Sequence, residues 1–73
     1  MNRDTIKYIE NLAGNDVILI DCDGKEREVY LVGVEDDKAI VTYLTRTYNN
    51  NTLPVERSID LNDDSYDIKE KTQ

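Results

Sequence analysis

The chain contains no histidine, tryptophan or phenylalanine, and it has a single cysteine, Cys22. One cysteine excludes an internal disulfide, and without histidine the usual zinc sites lack their ligands. Serine and cysteine nucleophiles likewise lack the base that normally activates them. We therefore expect no catalytic residues, no metal site and no cofactor.

Long apolar runs are also missing. No run approaches the roughly 20 residues that a membrane-spanning helix needs, and the N-terminal stretch MNRDTIKYIENLAG lacks the apolar core of a signal peptide. A lone cysteine suits a reducing compartment. We expect no membrane contact and a cytoplasmic location.

Positive charge is scarce: nine Lys and Arg residues face sixteen Asp and Glu residues, giving a net charge of -7. Such a surface repels nucleic-acid phosphates and anionic membranes, so it suits a basic protein partner or serves solubility alone. The 73 residues make one domain, whose small core favours tight packing or self-association into a homo-oligomer.

The stretch from Val17 to Thr45 organises the chain, because it contains three apolar runs separated by two acidic turn signals. Before it, apolar residues at helical spacing predict a helix over about 4–13, which Gly14 ends. Strands are predicted over about 17–21, 27–35, 38–46, 52–59 and 65–69. The run from Val17 to Ile20 has no polar face, which predicts a strand covered on its outside by the helix or by a second subunit.

Gly33 lies inside the second predicted strand, where glycine usually marks a bend or a bulge. A side chain there is expected to clash at the bend, so Gly33→Val should lower the melting temperature. The sequence thus predicts a mainly β or α+β fold over 1–73. An N-terminal helix precedes a small, strongly bent, five-stranded antiparallel barrel.

This order resembles the Sm-like family of small five-stranded barrels. The residues that carry the likeness are Leu12, Gly14, Val17, Leu19, Asp23-Gly24, the run from Gly33 to Asp37, and Ile40-Val41. The family has an aspartate where Glu35 stands and an RNA-reading asparagine where Ala39 stands. Its second motif contains an Arg-Gly pair, whereas Arg57 is followed by serine. The resemblance therefore implies the fold and, as an alternative function, a nucleic-acid or nucleotide-binding oligomer.

A further resemblance is to the WYL ligand-sensing barrels. Tyr43-Leu44 match the end of the motif that names the family, with Thr42 in place of tryptophan, and Arg57 and Ile59 fall near its late Arg-rich strand. This likeness implies a ligand-sensing barrel as a third function.

Tyrosine supplies all five aromatic residues, and its apolar ring with a polar end suits interfaces. The leading hypothesis is a non-catalytic module that docks a basic surface of another protein. Small acidic chains of this kind are typical of phage or mobile-element inhibitors of host nucleic-acid-handling or defence proteins. The candidate partner-binding residues are Glu35, Asp36, Asp37, Tyr43, Tyr48, Asp63 and Asp64.

Overall fold

The computed structural model describes residues 1–71, in which a short helix precedes five antiparallel strands. The elements are α1 (Arg3–Glu10), β1 (Asp16–Ile20), β2 (Glu26–Glu35), β3 (Lys38–Arg46), β4 (Thr52–Asp60) and β5 (Asp67–Glu70). The prediction of a mainly β fold with an N-terminal helix is confirmed. The last two positions of the predicted domain, 72 and 73, lie outside the described residues.

Helix α1 begins at an asparagine cap and ends at Glu10, earlier than the predicted end at residue 13. The side-chain oxygen of Asn2 accepts a hydrogen bond of 2.8 Å from the backbone N–H of Thr5, which satisfies a donor that the first turn leaves free. Helical pairing stops at Glu10, and Gly14, with a φ of +86°, redirects the chain. The Gly14 N–H then donates to the Leu31 carbonyl at 2.8 Å, so the helix exit is joined to β2.

The sheet has the order β4-β3-β2-β1-β5, and each neighbouring pair is antiparallel. Four strands follow one another as a meander, and β5 returns to pair with the outer side of β1. Among residues 1–71 no pairing joins β4 to β5, so the sheet remains open at these two edge strands.

One face of the sheet, together with the helix, forms the apolar core. The buried residues come from the helix and every strand, with one residue from the turn after β4. They are Ile6, Ile9, Val17, Leu19, Val29, Leu31, Ala39, Val41, Ile59, Leu61 and Ile68. No polar or charged side chain in the described chain is buried with them. The hydrophobic effect therefore accounts for the helix docking, since a helix of eight residues is not stable alone in water.

The other face of β1 carries Ile18 and Ile20, which are half-buried although the helix lies on the opposite face. Two ion pairs cross over this face from the flanking strands: Lys69 to Glu26 at 3.1 Å and Lys71 to Glu28 at 2.8 Å. The register places Lys69 beside Ile18 and Glu26 beside Ile20.

The aliphatic stems of these lysines thus cover the isoleucines while their ammonium groups stay in water. The expectation that the helix covers this face is wrong. A strand without a polar face is compatible with a lone copy of the chain, because long charged side chains shield it.

Gly33 follows a bulge in β2. The register with β3 shifts between Leu31 and Gly33, which leaves Val32 unpaired and half exposed. The predicted irregularity is present, but the predicted clash is wrong: a Cβ on Gly33 would meet no atom within 4 Å, and its φ is not in the left-handed region.

We expect Gly33→Ala to leave the melting temperature unchanged or to raise it slightly, because alanine restricts the unfolded chain without straining the folded one. Gly24→Ala is the matched control. Gly24 has a φ of +84°, so its replacement should cost about 1 kcal/mol. Thermal denaturation of both variants tests this, and a larger loss at position 33 than at 24 would contradict it.

Candidate functional site

Carboxylates from two separate turns converge at one end of the sheet. Lys38, the first residue of β3, pairs with Asp60, the last of β4, and the Leu61 N–H donates to the Asp37 carbonyl at 2.9 Å. The β2–β3 turn and the segment after β4 are therefore neighbours. We name as the acidic end the side chains of Glu35, Asp36, Asp37, Asp60, Asp63 and Asp64.

The backbone at the acidic end is fixed by turn geometry. Asp36 and Asp37 have φ values of 52° and 60°, as a two-residue hairpin turn with both central residues left-handed requires. The carboxylates of Asp60 and Asp63 each accept a backbone N–H two residues later, at 2.9 Å. Asparagine adopts left-handed φ values and accepts such backbone hydrogen bonds as well as aspartate does. The fold at this end therefore does not require negative charge.

Few cationic groups neutralise the acidic end. Arg3 donates to Asp37 at 2.9 Å, and the α-amino group of Met1 lies 3.2 Å from Asp64. The Arg3 and Asp64 side chains are largely exposed, and ion pairs of this kind contribute only about 0–1 kcal/mol to stability. Lys38 also lies at this end, opposite Glu35 and Asp60 in the register. Three positive groups thus face six carboxylates, so negative charge remains in excess and this end attracts cations.

The candidate tyrosines lie away from the acidic end. Tyr48 is fully exposed in the loop at the tip of the β3–β4 hairpin. Strand β3 runs from Lys38 at the acidic end to Arg46 at the tip, which is about 26 Å for an extended strand. Tyr43 is half-buried on the core side of the same strand. The structure thus brings the acidic candidates together and separates both tyrosines from them.

Tyr43 belongs to a cluster of arginine and tyrosine side chains. The guanidinium of Arg27 lies 4.5 Å from the centre of the Tyr43 ring, and that of Arg57 lies 5.9 Å from the Tyr66 ring. Both distances suit a cation–π interaction. The cluster joins β2, β3, β4 and the segment before β5, so sequence spacing gives no sign of it.

Arg57 is also paired with Asp21, whose carboxylate it approaches at 3.2 Å. Burial, the largest single influence, lowers the pKa of Arg57. Its hydrogen bonds to Asp21 and Tyr43, with the charges of those groups, outweigh burial and leave the pKa raised. Arg57 therefore stays charged and is engaged in structure.

A cleft opens where β2 and β3 separate. The pairing of these strands begins at Tyr30 and Thr42 and continues toward the acidic end. Away from the acidic end, the two strands no longer pair with each other. Within residues 1–71, residues 26–29 pair only with β1, and residues 43–46 pair only with β4. The two strands therefore diverge, and a cleft of about 610 Å³ lies between them.

The cleft is lined by apolar and charged side chains from the diverging strands and their neighbours. The lining residues are Asp16, Arg27, Glu28, Val29, Tyr30, Thr42, Tyr43, Leu44, Thr45, Arg46 and Pro54. Leu44 is 68% exposed and Tyr30 is 43% exposed, so apolar area faces solvent here. Tyr43 is the one sequence candidate that the cleft includes.

None of the helices in residues 1–71 has the length and apolar character needed to cross a membrane. Comparison with known proteins gives no family for the chain: no family model matches it, and no curated protein and no solved structure is significantly similar to it.

Proposed function

We propose that the chain is a cytoplasmic, non-catalytic module whose acidic end docks a basic surface of another protein. The observation that carries the proposal is the convergence of six carboxylates from two turns onto one end of a chain with a net charge of -7. Since asparagine would serve these turns equally well, the charge is better explained by what the end binds than by the fold.

The chemistry of the acidic end favours a nucleic-acid-handling protein as the partner. Such proteins carry clustered lysine and arginine where they contact phosphates. A module that occupies that surface competes with the nucleic acid and so inhibits its partner. This is the activity expected of a phage or mobile-element inhibitor acting on a host protein.

The relation to Sm-like barrels is a second proposal, limited to the fold. The helix that precedes the sheet and the bulge beside Gly33 support it. The alternative function of that family, nucleic-acid binding, gains no support. Ala39, which stands at the RNA-reading position, is fully buried in the core. The ligand-sensing function of the WYL barrels stays a third prediction, and Tyr43 and Leu44, which carry that resemblance, both line the cleft.

Neutralising the acidic end should abolish capture of its partners without unfolding the chain. The variant carries Asp36→Asn, Asp37→Asn, Asp60→Asn and Asp63→Asn, which retain the turn hydrogen bonds. A matched control removes four charges elsewhere, by Glu10→Gln, Asp23→Asn, Glu56→Gln and Asp67→Asn. Proteins captured from host lysate by each are identified by mass spectrometry.

We expect basic, nucleic-acid-handling proteins to be captured by the wild type and by the control, and to be lost with the acidic-end variant. With a purified partner, the variant should slow association more than it speeds dissociation, because exposed charges act mainly on encounter. Raising the salt concentration should slow association of the wild type in the same way, since dissolved ions screen charges that lie more than about 8 Å apart at physiological ionic strength. Equal capture by both variants would refute the proposal.

A further inference from the structure

We propose that the cleft between β2 and β3 docks an extended, acidic segment of a partner protein, which adds as a strand along residues 43–46 of β3. The acidic end and the cleft lie toward opposite ends of β3, and neither proposal depends on the other.

The backbone of β3 supplies the first argument. Residues 43–46 pair with β4 on one side and with no strand of the described chain on the other. A free strand edge presents unpaired N–H and C=O groups, which a peptide in extended conformation can satisfy. Residues 27–29 of β2 form the facing wall, so the added segment lies in a bounded groove.

Exposed apolar side chains supply the second argument. Leu44 and Pro54 form a cross-strand pair on the face that bears Tyr30 and Thr42. Leu44 is among the most exposed large apolar residues, at 68%. A strand laid beside 43–46 brings its own alternate side chains against this surface, which buries apolar area that water now contacts.

Charge selects the kind of segment. Arg27 and Arg46 line the cleft, and neither forms an ion pair within residues 1–71. Of the two lining carboxylates, Glu28 is paired with Lys71 at 2.8 Å. That hydrogen bond is the main cause of the raised pKa of Lys71, to which Asp16 adds a smaller influence. Arg27 is stacked on Tyr43, but neither it nor Arg46 has a carboxylate partner within residues 1–71, and both therefore favour carboxylates on the incoming segment.

Binding of three synthetic peptides tests the proposal. The first is a capped, fluorescent heptapeptide of alternating valine and glutamate. The second replaces glutamate by lysine, and the third keeps glutamate but carries N-methyl groups on alternate backbone amides. Fluorescence anisotropy gives the affinities, and NMR amide shifts locate the site. We expect the glutamate peptide to bind at 43–46 and the other two to bind at least about tenfold more weakly, through lost charge pairing or lost backbone donors.

Arg46→Glu should lower the affinity for the glutamate peptide about threefold to tenfold and raise the affinity for the lysine peptide. The reason is that it reverses an exposed charge that pairs with the peptide. Lys7→Glu is the matched control: it makes the same charge change on the exposed side of α1 and should leave both affinities unchanged. Thermal denaturation confirms that both variants fold.

Three results would each overturn the proposal. One is equal binding of the glutamate and lysine peptides, and another is tight binding of the N-methylated peptide. The third is seen by sedimentation velocity, if the glutamate peptide displaces a second copy of this chain from the cleft. The natural occupant would then be another copy of the chain. The acidic-end variant should bind the glutamate peptide at least as well as the wild type, so failure here is distinguishable from failure of the proposed function.

Discussion

Replacing Leu31 by alanine is expected to unfold much of the population at physiological temperature. Leu31 is fully buried in β2, and its backbone accepts from Gly14 at 2.8 Å and donates to Asn15 at 3.0 Å. Leu→Ala in a core costs about 2–5 kcal/mol through lost burial and the cavity left behind. A domain of this size has only a few kcal/mol in reserve.

The matched control is Leu44→Ala, the same substitution at a side chain that is 68% exposed. It should change the free energy of unfolding by less than about 0.5 kcal/mol. Chemical denaturation followed by circular dichroism compares the two variants. Equal losses would contradict the assignment of the core to the face that bears Leu31. Because Leu44 borders the cleft, Leu44→Ala should still weaken binding of the glutamate peptide.

Ala39→Asn should also destabilise the protein, by about 3 kcal/mol or more. Ala39 is fully buried, so asparagine would overfill the core, at a cost of about 1–3 kcal/mol. Its side-chain amide would also be buried without hydrogen-bond partners, at a cost of about 1–3 kcal/mol. The substitution places the RNA-reading residue type of the Sm-like family at its corresponding position.

Ala13→Asn is the control for this variant, because Ala13 is exposed in the turn after α1 and should tolerate the polar side chain. Melting temperatures and RNA binding of the Ala39→Asn protein are then measured together. A stable variant that binds RNA would show that position 39 can reach a ligand. That result would place nucleic-acid binding, the alternative function, ahead of protein docking.

The elements of the fold are predictable because their signals are local. Asp23-Gly24 gives the first hairpin its left-handed glycine, and Asp36-Asp37 gives the second its left-handed pair. Between these turns, apolar runs of strand length leave few alternatives. The placement of the helix against the Val17 and Leu19 face is not local. The sequence shows that β1 is apolar on both faces. It does not show which face the helix covers and which face the lysine side chains cover.

Of the candidate site, the acidic turns are visible in the sequence, whereas their meeting depends on the register of β3 with β4. Arg27 and Tyr43 are sixteen positions apart, and they meet because β2 and β3 are antiparallel neighbours and both residues lie on the core side of the sheet. No residue type marks the divergence of these strands. The clash expected at Gly33 is wrong for a related reason, since the neighbouring bulge leaves open space beside it.

The two ion pairs over Ile18 and Ile20 have a consequence for aggregation. Lys69 belongs to β5, and Lys71 follows it. Strand β5 is only four residues long and, in the part of the chain that the structure describes, pairs with β1 alone. When β5 detaches in a local opening, β1 loses its shield and its edge partner together. The exposed Val17–Ile20 segment then has a free edge and a run of β-forming residues, which are the features of an aggregation-prone strand. Irreversible loss of the native protein should therefore begin at β5, well before the core around Leu31 opens.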